Sequence, residues 1–142
     1  MDMAVIEADR WIFERIKSDS VLIAMIGGSA FPRVFVDVVP KASALPAVVF
    51  QMRGQGTYVK VINSRDLWWQ GQYQIKAITR AENYSVLIPI ADRLTALFEW
   101  VKNPYGPVIS CVRNTPIRYP EFDGETQYRH LGLVIDLQVK GV

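Results

Sequence analysis

The residues of this sequence that could do chemistry are few. His130 is its only histidine and Cys111 its only cysteine. A lone histidine removes the usual zinc and histidine-pair chemistries, and a lone cysteine excludes both an intrachain disulfide and a cysteine-based metal cluster. Glu121, Asp123 and Glu125 lie close to His130 in sequence, which suggests an acid–base pair or a calcium loop. Calcium loops need more oxygen ligands at ordered spacing, whereas Asp123-Gly124 is the pair a tight hairpin requires. Gly54-Gln55-Gly56 lacks the third glycine of a dinucleotide fingerprint and falls between two strand-like runs. Cys111, next to Val112 in a β-rich run, reads as a small buried apolar residue. These residue types point to no catalytic, cofactor or metal site, and an enzyme is not expected.

Charge gives little support to a dedicated nucleic-acid binder. The formal net charge is +2, although Arg53, Lys60, Arg65, Lys76 and Arg80 face only Asp66 across the stretch 53–80. Half the residues are apolar and 21% are charged, a globular composition, and 142 residues suffice for one domain with its own core. The longest apolar runs, such as Val21–Ile26, are far too short to cross a bilayer. With no basic segment leading into an apolar core, no secretory signal is expected.

The positioning elements follow from periodicity. Val5, Ala8, Ile12 and Ile16 form a helical stripe. A short helical turn over Val21–Met25 follows the capping run Ser18-Asp19-Ser20 and stops at Gly27-Gly28. Arg33–Val39 is a brief β-type run. Pro40–Pro46 is a proline-bounded connection, and Ala47–Arg53 and Thr57–Ile62 are strands about a turn at 54–56. Asp66–Thr79 alternates Leu67, Trp69, Tyr73, Ile75 and Ala77 against Gln70, Gln72, Gln74 and Lys76, one core face and one polar face. Trp68 falls on the polar face, and Gly71 marks a bend or bulge. A helix is expected over about Ala81–Val101, with Pro89 delaying its regular part to as late as Ser85. Val108–Arg118 and Tyr128–Val139 then pair about Asp123-Gly124. The expected fold is α+β: a mostly antiparallel sheet of about four to five strands, with two helices packed on one face.

An assembly role uses these residues better than catalysis does. Interfaces favour aromatic anchors and few lysines and glutamates. Trp68 with Gln70, Gln72 and Gln74 forms one such candidate surface, and the Pro40–Pro46 arm with Val38, Val39 and Leu45 forms another. Two other readings stay open: Trp68 as a packed residue where the strand twists, and the arm as a cover for the protein's own sheet edge.

The order of elements resembles the tail-terminator or tail-completion proteins of long-tailed bacteriophages and related prophages, over nearly the whole chain. The resemblance is carried by Ile12–Lys17 with Val21–Gly27, Leu45–Phe50, Tyr73–Thr79 with Ile90–Phe98, and the closing pair Ser110–Arg118 and Tyr128–Val139. It implies a virion structural subunit, made in the host cytoplasm, that forms a ring, typically a hexamer, at the head-proximal end of the tail. Such a ring caps the tail tube protein, stops its polymerisation and meets the head-side neck or connector proteins. DNA would pass its lumen without sequence reading, giving Lys60, Arg65 and Lys76 a nonspecific role if they line it. No cofactor and no membrane are implied. The alternatives are a head-side neck or connector protein and, from another class, a small nucleic-acid-binding domain or enzyme.

Overall fold

A computed structural model describes residues 3–60, 66–102 and 107–140. The elements run α1 (Met3–Lys17), α2 (Ser20–Met25), β1 (Val34–Val36), β2 (Ala47–Lys60), β3 (Asp66–Thr79), α3 (Ile88–Phe98), β4 (Trp100–Lys102), β5 (Val108–Asp123) and β6 (Thr126–Lys140). One six-stranded sheet holds them in the order β1-β2-β3-β6-β5-β4. The β1–β2 pair is parallel and the other pairs are antiparallel.

This corrects the expected four- to five-stranded, mostly antiparallel sheet with two helices. The sheet is mixed and six-stranded, and the described residues form three helices. Two outer strands account for much of the difference. β1 runs parallel to β2, with Phe35 opposite Val49, and is joined to it by an irregular crossover. β4 occupies the end of the expected second helix. Val101 follows Leu94 and Leu97 at helical spacing but meets the core from a strand, paired with Cys111. Three residues are too few for periodicity to tell the two apart.

The core lies between the sheet and its helices. Ala4, Ala8, Ile12 and Ile16 of α1 are buried, as are Ile90, Ala91, Leu94 and Phe98 of α3. All but Ala91 cluster with Trp69, Tyr73, Ile75 and Ala77 of β3 and with Leu133, Ile135, Leu137 and Val139 of β6. The alternation expected of the middle and closing strands is what places these side chains on one face. Pro89 sits in the first turn of α3, where its missing N–H costs nothing, so the helix begins at Ile88. Asp19 caps α2 by accepting from Leu22 N–H at 2.9 Å. Its carboxylate also takes a fork of bonds from Arg93 of α3, the shortest 2.6 Å from Nη2. That guanidinium holds the Asp19 carboxyl below its ordinary range, against the opposing effect of burial.

Two expected breaks in the strands do not break them. Gly54 and Gly56 have φ of 70° and 73° and sit in a register shift between Arg53 and Thr57, so β2 continues through them as one bulged strand. Gly71 pairs regularly with Leu137. A Cβ there would lie 2.3 Å from the ring of Trp69, so this glycine makes room for a buried indole.

Candidate functional site

The sheet face away from the helices carries the polar positions of β3. Gln74 Nε2 donates to Gln51 Oε1 at 2.7 Å, and Gln72 Nε2 to Asp136 Oδ1 at 3.0 Å. Asn114 Nδ2 reaches the other Asp136 oxygen at 3.0 Å, and Ser110 Oγ donates to Gln138 Oε1 at 3.1 Å. The expected glutamine face is thus a lattice of cross-strand hydrogen bonds over β2, β3, β6 and β5. Of the residues singled out on it, Gln70 is exposed, while Gln72, Gln74 and Trp68 are half-buried. The indole Nε1 of Trp68 is buried without a partner among the described residues.

Towards the β5–β6 turn the lattice gives way to a tighter cluster. Lys76 is 7% exposed, donates to the Tyr119 hydroxyl and lies 4.9 Å from that ring's centroid. Tyr119 stacks on His130 at 4.3 Å with 11° between the planes. His130 is 4% exposed, with Nε2 2.9 Å from Glu121 Oε1. Burial lowers the affinity of His130 for a proton, Glu121 works the other way, and Lys76 adds to the lowering. Nδ1 has no partner among the described residues, so a neutral ring donating from Nε2 to Glu121 fits the site. The sequence proximity of Glu121 and His130 therefore becomes a real contact, whereas Asp123 and Glu125 are exposed at the turn.

A cleft of about 530 Å³ separates this cluster from the segment after β1. Val38, Val39 and Leu45 line one wall, Phe122 and Tyr128 the other, and Lys76 and His130 contribute to the floor. The Pro40–Pro46 arm thus borders the open face with its apolar side chains, and Val38 is 71% exposed. Of the lysines and arginine considered for a DNA-facing role, Lys60 is exposed at the far end of β2. Lys76 is buried against Tyr119, and Arg65 lies outside the described residues. Lys60 and Lys76 lie far apart along the β2–β3 pair, opposite Asp66 and Val49 respectively.

The chemistry available here is modest. No group of three or more His, Cys, Asp or Glu residues that could hold a metal ion occurs among the described residues. Burial pushes the Cys111 thiol up to about 12, far from a thiolate nucleophile at neutral pH. Among the described residues no helix is long and apolar enough to cross a membrane.

Exposed apolar side chains that the sequence did not single out are informative. Phe31 is 84% exposed, Trp100 71% and Phe122 67%. Trp100 had one sequence signal, since it falls off the apolar stripe of the helix in which it was expected. Phe31, in a loop between Gly28 and Pro32, had none beyond its type.

No family model matches the chain, and no curated protein matches it. A solved structure that does resemble it is a chain of the virion of native gene transfer agent (GTA) particle. The two are 17% identical, with 92% of each chain covered and a TM-score of 0.65. At that identity the likeness establishes a shared fold.

Proposed function

We propose that this chain is a structural protein of a phage-like virion, one subunit of a ring that caps the tail tube and offers the joining surface to the head side. The observation that carries the reading is the fold shared, over 92% of both chains, with a component of a gene transfer agent virion. It gains weight from the order of elements that resembles tail-completion proteins. The candidate site supports the same reading, because its polar groups are committed to one another in cross-strand bonds. A closed ring of identical subunits, a hexamer on this reading, needs two different complementary patches on each copy. The six-stranded mixed sheet with its helices carries exposed apolar side chains enough for both.

The reading is tested by polymerising the tube protein of the same particle with and without this chain and measuring tube lengths by electron microscopy. Capping predicts a length distribution that shortens with added protein, and density at one tube end only. Unchanged lengths with bare ends would overturn it, and attachment to the portal-side assembly instead would favour the neck or connector role.

A further inference from the structure

We infer that copies of this chain join edge to edge, the segment around β1 of one copy meeting β4 of the next. The inference rests on the ring reading above and assigns its two patches.

β1 and β4 are the outermost strands of the sheet, and large exposed apolar side chains gather beside both. Around β1 stand Phe31, Val36 and Val38, exposed to 84%, 44% and 71%. At β4, Trp100 and Val112 form a cross-strand pair, exposed to 71% and 43%. Between the two edges the hydrogen-bonded polar lattice offers no comparable anchor; Phe122, 67% exposed, stands beyond it at the end of β5. Exposed aromatics beside aliphatics are the composition of interface centres.

Charge follows the same division. Asp37 lies between Val36 and Val38, and no ion pair occupies its exposed carboxylate among the described residues. On the other edge Arg113 adjoins Val112 and pairs with Glu99 at 3.3 Å, with both side chains about half exposed. An acid set among apolar residues on one edge therefore faces an arginine set among apolar residues on the other. Such a pair is heterologous, as a ring requires.

The contact is made by side chains and does not extend the sheet. Both outer strands are three residues long, and the stretch of β5 beyond β4 contains Pro116 and Pro120, which have no N–H to offer a new strand. Geometry adds a consequence. Traced through the register, Phe35 of β1 is level with Lys76 of β3, and Val101 of β4 with Gly71. That offset is about 17 Å along the strands across a sheet about 24 Å wide, so copies joined at one height carry their strands tilted by about 35° to the ring axis.

The test is light scattering on the purified chain and on Phe31→Asp and Trp100→Asp, at up to about 1 mM, with circular dichroism as the control for folding. The wild type should be a multimer, and each variant a folded monomer with association weakened at least about tenfold. Mixing the two variants should yield dimers and nothing larger, because each retains the patch the other lacks. Val38→Asp should behave as Phe31→Asp, and Val112→Asp as Trp100→Asp, if either aromatic variant fails to fold. A wild-type multimer that survives in all four variants overturns the edge assignment and leaves the ring reading standing. A monomeric wild type at every concentration also overturns it, since edges so apolar should associate unaided; the capping reading is then judged by the tube-length assay alone.

Discussion

The two faces of the one sheet obey different physics. On the helix-covered face, side chains from α1, α3, β3 and β6 interlock, nearly all at 0–1% exposure, and stability comes from apolar area removed from water. On the open face, the glutamines and Asp136 of β3 and β6 bond to one another and to Gln51 of β2 and Asn114 and Ser110 of β5. Each such bond exchanges for one with water and contributes only about 1 kcal/mol or less. Alternation along β3 thus divides the labour: odd positions hold the fold, and even positions make a surface.

The sharpest way to break this contrast is in the core. Phe98 is fully buried, with its ring edge-on to Trp11 at a centroid distance of 5.9 Å. Phe98→Ala should cost about 3–5 kcal/mol in denaturant unfolding; a loss under about 1 kcal/mol would mean that α3 does not seal the covered face.

Asp19→Ala should cost about 2–3 kcal/mol, because it removes a helix cap and a charged fork together. The pH dependence has a definite sign. The folded carboxyl titrates below its ordinary value, so its contribution is complete above about pH 3.9 and disappears as the pH falls through the lower, folded value. Asp19→Asn should flatten the acid limb of the stability profile, and an unchanged limb would mean that Arg93 does not hold the carboxylate in solution.

His130 gives a smaller effect in another window. Its folded affinity for protons is lowered, so stability is complete above about pH 6.5 and declines as the pH falls below it. The groups facing the ring are Glu121, Lys76 and Tyr119. His130→Gln should remove that slope, and nuclear magnetic resonance titration of the imidazole gives the direct check. Smallest of all, Gln72→Ala should change stability by less than about 1 kcal/mol. A loss above about 2 kcal/mol would show that the open face is structural after all.

Much of this architecture could be read from residue order, and the parts that could not have physical reasons. The alternation of Trp69–Ala77 and of Leu131–Val139 survives intact because a face buried under helices tolerates no slip in register. The start of α3 was blurred because Tyr84–Leu87 is compatible with a helix and only Pro89 hints at the boundary. β1 lies inside the expected β-type run Arg33–Val39, whereas β4 escaped because three residues show no period; the pairing of both is decided by distant partners, Val49 and Cys111. The glutamine face was legible from alternation, whereas its hydrogen-bond partners on β2 and β5 were not. Trp68 lies on the anticipated face yet is half-buried, while Trp100 and Phe31, exposed at or beside the sheet edges, stood out only once those edges were known.

The measurement that goes most directly to the central claim is electron microscopy of intact particles in which this chain carries a small label. A ring capping the tail tube predicts one cluster of label per particle, at the junction of tail and head. Label along the whole tube, over the head shell, or absent from purified particles would contradict the account.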